Sequence, residues 1–172
     1  MIHLFTIGFT GKSAEEFFTL LREAGVRRIL DIRLKNNTSL AGFTRQAHLP
    51  FFLKEICGAD YKHIPECAPT LEILDAYQAK QLPWASYVEQ FMPLIKKRKI
   101  ENILTPALLD YGCLLCSEPS PGQCHRRLVA EYMKGLIPDI EITHLQGIGK
   151  KQKAKGAKAL NKGEDAAKLR QK

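Results

Sequence analysis

The chain has 172 residues, 45% hydrophobic and 26% charged. That is the make-up of one domain with a real core, and it excludes a fibrous or wholly disordered chain. No apolar run reaches the roughly eighteen residues a membrane helix needs. The opening MIHLFTIGFTGKS has neither a basic start nor a small-residue cleavage site, so no signal peptide is expected. The expected location is the cytoplasm, where the five cysteines stay reduced.

The net charge of +8 is unevenly spread. Residues 148–172 hold nine Lys and Arg against Glu164 and Asp165, a surplus of seven, which leaves +1 for residues 1–147. The body is therefore expected to be one α/β domain over residues 1–147, followed by a basic tail. That tail has almost no large apolar residues and cannot offset its ordering entropy, so disorder is expected there. A solubilising role is the first reading. A weak electrostatic hold on nucleic acid is the alternative, without interleaved aromatics to stack on bases.

In chain order, Ile2 to Ile7 reads as a strand and Gly8 to Lys12 as a turn. Ser13 caps a helix, with Glu16 completing a capping box and Gly25 stopping it. Val26 to Ile32 reads as a second strand, so the chain opens strand, helix, strand, a parallel pair. Arg33 to Thr44 is a polar loop. A helix is expected from His48 to Ile56, a short strand from Asp60 to Ile64, and a helix from Pro69 to Lys80. Another helix starts at Pro83, with Pro93 expected to kink or restart it. Thr105 and Pro106 open a short helix. Cys113 to Cys116 reads as a buried strand, Gln123 to Lys134 as a helix stopped by Gly135, and Ile140 to Leu145 as the last strand. This alternation predicts a mostly parallel sheet of about four to five strands flanked by helices.

In such folds ligands gather at the carboxyl ends of the strands. Three of these ends carry polar or reactive groups: Gly8 to Ser13, Asp31 to Asn37, and Cys116 to Arg126. The first, GFTGKS, is not a phosphate-binding P-loop, because only Phe9 and Thr10 separate Gly8 from Gly11. A tight turn with a helix cap accounts for it. Cys113 and Cys116 look like a metal or redox pair, but positions three apart on a strand face opposite ways. Cys113 is therefore read as core.

Cys124, His125, Arg126 and Arg127 fall in the first turn of their helix, the wrong end for cations. A bound phosphate or carboxylate would reverse that cost, and Arg126 is read as an anion ligand. Arg127 can instead pair with Glu131 one turn on. Cys124 and Cys116 are the candidate nucleophiles, with Glu118 and His125 as proton carriers. Asp31 and Arg33 share a strand face, so they can form an internal ion pair or, alternatively, Asp31 can aim Arg33 at an anion. Gly8 and Asn36 complete the anion set. The sequence names no cofactor and assigns no metal. Zinc on Cys116, Cys124, His125 and one distant ligand is the alternative. Trp84, Tyr87 and Phe91, at helical spacing, are read as core.

These residues resemble the domain of unknown function 488 family of small α/β proteins. The resemblance covers about residues 2 to 146. It rests on TIG (Thr6 to Gly8), LDIR (Leu30 to Arg33), LAGF (Leu40 to Phe43), HIPECAPTLEILDAY (His63 to Tyr77), and LLCSE followed by CHRRLVAEY (Leu114 to Glu118, Cys124 to Tyr132). It implies one α/β domain without an assigned activity. It also implies recurrent polar positions at Asp31, Arg33, Cys116, Glu118, Cys124, His125 and Arg126. Many relatives carry His-Ser where this chain has Phe9 and Thr10, so any role of that histidine is absent here or supplied otherwise. The functional expectation is an enzyme acting on a phosphorylated or otherwise anionic small molecule. A binding or regulatory module without chemistry is the alternative.

Overall fold

The structure is a computed structural model that describes residues 1–37 and 41–147. The expectations for the basic tail lie outside the described residues. Five strands, β1 (Ile2–Gly8), β2 (Arg28–Asp31), β3 (Asp60–His63), β4 (Gly112–Cys116) and β5 (Ile140–Leu145), form one sheet in the order β3-β2-β4-β1-β5. Every pairing is parallel, as expected of strands joined by helical crossovers.

Six helices flank the sheet: α1 (Ala14–Glu23), α2 (Leu49–Phe52), α3 (Leu71–Gln78), α4 (Trp84–Lys97), α5 (Pro106–Leu109) and α6 (His125–Leu136). A π-helical turn, Leu53–Cys57, extends α2. The sheet separates two cores. On one face Phe17, Phe18 and Leu21 of α1 and Leu49 of α2 pack on Ile7, Ile29, Cys113 and Leu115. On the other, residues of α3, α4 and α6 pack on Leu4, Leu30 and Leu114. This alternation puts Cys113 in the first core and Cys116 on the opposite face.

Local chemistry sets most boundaries. The Ser13 hydroxyl accepts the Glu16 N–H at 3.1 Å and starts α1. Gly25, with φ +67°, ends it. Four expectations are corrected. β2 starts at Arg28, because Val26 N–H still closes the end of α1 by bonding the Leu21 carbonyl. α4 runs unbroken through Pro93. That proline is exposed, as is Glu89 one turn earlier, so the carbonyl left without its donor lies on the solvent side of the helix. Gly135 lies inside α6. The stop comes from Pro138, which holds Ile137 extended at φ −128°, ψ 89°. The start of α6 is His125, with Cys124 as its N-cap, two residues later than expected.

The topology opens crevices at the carboxyl edge of the sheet. The chain leaves β2 toward the face covered by α1 and α2, and leaves β4 toward the face covered by α6. Adjacent strands whose exits diverge open a crevice at their carboxyl ends. Among the described residues, no helix is long and apolar enough to cross a membrane.

Candidate functional site

Cys116 ends β4 and is 5% exposed. His125, the first residue of α6, brings its ring to that sulfur, with Nδ1 3.6 Å from Cys116 Sγ. Its other nitrogen, Nε2, lies 2.9 Å from the Ile32 carbonyl oxygen. A carbonyl only accepts, so Nε2 carries the proton, and in the neutral ring the Nδ1 lone pair faces the sulfur. Phe91 of α4 meets the imidazole edge-on, with centroids 5.7 Å apart. Cys124 Sγ completes a trio whose ligand atoms all lie within 4.8 Å of one another.

The electrostatics are those of a tightly coupled cluster. A hydrogen bond from the Cys124 thiol pulls the Cys116 thiol well below its ordinary value, against burial, with His125 helping. Burial and the same shared hydrogen bond push Cys124 up, so it keeps its proton. Burial lowers His125, but the charge and hydrogen bond of the Cys116 sulfur together with the Ile32 carbonyl outweigh it, and the net shift is upward. Loss of solvation, then the Cys116 sulfur, raises Glu118.

Arg33 enters from the end of β2. Its Nε and Nη2 donate to the two Asp31 carboxylate oxygens at 2.8 and 2.7 Å, and Nη2 also reaches the Thr44 carbonyl at 2.8 Å. Asp31 is fully buried and takes a further hydrogen bond from the Tyr61 hydroxyl at 2.7 Å. A His63 nitrogen lies 2.9 Å from the Arg33 carbonyl. Below the guanidinium is the Phe9 ring, 5.4 Å away. The remaining nitrogen, Nη1, is buried and has no partner among the described residues.

These groups meet at one cavity of about 270 Å³, whose wall includes Arg33, Lys35, Cys116, Glu118, Cys124 and His125. It lies at the β2/β4 crevice. The other anion candidates stand behind it. Arg126 is 1% exposed; its Nη1 donates to the Glu118 carbonyl and to Cys124 Sγ, and its Nη2 to the Pro119 carbonyl. Arg126 thus ties the loop after β4 to α6 and does not line the cavity. Gly8 makes room for this knot, since a Cβ there would fall on the Glu118 carbonyl and 2.8 Å from Arg126 Nη1. Asn36 is buried, with Nδ2 3.5 Å from the Tyr61 hydroxyl, and lines a separate pocket with Leu34, Lys35 and Asn37. Arg127 pairs with Glu131 at 3.7 Å.

One wall was not legible from strand ends. Tyr77 of α3 and Trp84 and Tyr87 of α4 also line the cavity. Trp84 and Tyr87 are stacked, with centroids 5.1 Å apart and planes at 14°, and Tyr77 lies 4.9 Å from Tyr87. Tyr87 does belong to the core, as its helical spacing implied, yet one side of this cluster faces the cavity. The only sequence signal was three aromatics placed at consecutive helix ends.

A parallel, single-sheet α/β protein with a cavity of mixed polar and apolar lining at the carboxyl ends of its central strands is the class that this geometry defines. Within that class the chain belongs to the family described as "Domain of unknown function DUF488", whose model matches residues 13–133. The match takes in every cavity-lining residue named above and leaves β1 and β5 outside. Comparison with curated proteins and with solved structures gives no significant match.

Proposed function

We propose that the protein is an enzyme for a small anionic molecule, which Arg33 holds in the cavity between the ends of β2 and β4. The observation that carries this reading is that Arg33 lines the cavity while one of its guanidinium nitrogens, Nη1, is buried with no partner among the described residues. Buried polar groups are rarely left unpaired, and one that is unpaired in a cleft has its partner supplied by a ligand or water. Asp31 serves as the positioning residue that fixes the guanidinium plane. Lys35 adds positive charge at the rim, although Asp75 shares it at 3.2 Å.

Chemistry is assigned to the same wall, where Cys116, His125 and Glu118 converge. Three groups of different basicity beside an anion subsite form the arrangement of a reacting centre. Ligand pockets commonly start near ~300 Å³, so a cavity of about 270 Å³ suits a compact molecule. The Tyr77, Trp84 and Tyr87 wall favours one with a flat apolar portion.

Calorimetric titration with inorganic phosphate, simple carboxylates and nucleoside monophosphates tests the reading. Arg33→Lys keeps a positive charge for Asp31 but replaces the three-nitrogen guanidinium with one ammonium, which cannot serve Asp31 and an anion with separate nitrogens. A hydrogen bond to a charged group contributes about 1.5–3 kcal/mol, so affinity for the best anion is expected to fall about tenfold or more. Equal binding by wild type and Arg33→Lys would remove the basis for this assignment.

A further inference from the structure

Cys116, Cys124 and His125 present two sulfurs and one imidazole nitrogen to a common point, and all three residues are buried. A tetrahedral zinc ion sits about 2.3 Å from sulfur and about 2.0 Å from nitrogen, which sets its ligand atoms roughly 3.5–3.8 Å apart. Cys116 Sγ and His125 Nδ1 are already 3.6 Å apart. The full trio spans no more than 4.8 Å. Closing it on an ion therefore takes side-chain shifts of about 1 Å or less. We propose that these three residues bind a zinc-class divalent ion, with its fourth position open to the cavity.

Three independent features support the assignment. First, the ligands are of the right kind: two thiols and an imidazole select zinc over the hard cations that oxygen donors hold. Second, the outer support is built. A metal-bound histidine almost always donates its other N–H to a fixed acceptor, and here the Ile32 carbonyl takes Nε2 at 2.9 Å. Phe91 packs against the same ring and keeps that side of the site apolar. Third, among the described residues the cluster stops at three members. A structural zinc site closes with four protein ligands, whereas three ligands beside a cavity leave a position for water or substrate.

The proposal deepens the reading above, since it makes the reacting centre a Lewis acid facing the anion that Arg33 holds. Its ligands stand independently of that anion. Glu118 lines the same wall.

The full chain, purified without chelators, is expected to contain stoichiometric zinc by elemental analysis. Replacement by Co²⁺ is expected to give a near-ultraviolet thiolate-to-cobalt band and the intense visible bands of a four-coordinate site. Cys124→Ser should lower the metal to background with an unchanged circular dichroism spectrum. Cys113→Ser, on the other face of the sheet, should keep it. Inorganic phosphate added to the cobalt form should shift the visible bands. A chain that holds no zinc and gives no cobalt band on reconstitution overturns the site, as does full metal content in Cys124→Ser. Visible bands indifferent to phosphate would overturn the open fourth position. Arg33→Lys is expected to keep its metal while losing anion affinity, so failure of the anion reading and failure of the metal site are read apart.

Discussion

Arg33→Met is expected to destabilise the fold by about 3–4 kcal/mol, through the carboxylate it abandons. Asp31 is fully buried and has four donors: Arg33 Nε and Nη2, the Arg33 backbone N–H at 3.1 Å, and the Tyr61 hydroxyl. Methionine removes the first two and the positive charge but leaves the other two. Breaking a buried ion pair from one side costs about 3–5 kcal/mol. The surviving donors place this case near the bottom of that range. The Thr44 carbonyl also loses its Nη2 donor, which adds up to about 1 kcal/mol. For a chain of this length that corresponds to a fall of roughly 6–16 °C in Tm. Asp31→Asn in the same chain removes the stranded charge and keeps an acceptor for Tyr61. The double variant should therefore be clearly more stable than Arg33→Met alone. Urea unfolding of wild type, both single variants and the double variant, at constant m-value, measures the coupling. A single-variant loss below about 1 kcal/mol, or a double variant no better than Arg33→Met, would refute the reasoning.

Gly8→Ala drives a methyl group onto the Glu118 carbonyl. It is expected to cost about 1–3 kcal/mol, read by urea unfolding, and to weaken anion binding by displacing the loop after β4. His144 gives a pH signature. Burial, then Arg126, holds its imidazolium form below the ordinary value, with Glu131 opposing and Arg127 assisting, while Thr6 Oγ1 lies 2.8 Å from Nδ1. With the folded pKa depressed, its stabilising contribution is present above the unfolded pKa of about 6.5. It is lost as pH falls through the lower folded value. Wild type should then lose more Tm between pH 7.5 and 5.5 than His144→Gln does; parallel losses would refute this. Deletion of residues 148–172 removes seven net positive charges. It should abolish any low-salt retention on nucleic acid; retention by the shortened chain would place such binding on the body.

How far the sequence could be read depended on whether the cause was local. The Ser13 cap, the Gly25 stop and the opposite facing of Cys113 and Cys116 follow from neighbours within a few positions, and all three appear in the structure. The restart expected at Pro93 and the stop expected at Gly135 did not occur because a local rule met a remote or stronger one. Burial of Tyr87, Phe91 and Ile95 carries α4 across its proline, and Pro138 rather than Gly135 ends α6. At the site, the strand-end argument gathered Arg33, Cys116, Glu118, Cys124 and His125 without any contact information, and these five share one cavity wall. It could not separate Arg33 from Arg126. Both are buried arginines near strand ends that each keep one unpartnered nitrogen among the described residues, and only coordinates show that Arg33 lines the cavity whereas Arg126 ties up loop carbonyls behind it. The aromatic wall was invisible for a related reason: a side chain can serve core and cavity at once, and helical spacing reports only the first.

Trp84 is the chain's single tryptophan, and it stands in the cavity wall, stacked on Tyr87. The protein therefore carries its own optical probe at the place where a guest would enter. Its emission should change in colour and intensity as solvent beside the indole is displaced, with no second tryptophan to compete. Compound libraries can be screened on the untagged, unlabelled chain by that light alone, before any reaction has been assigned to it.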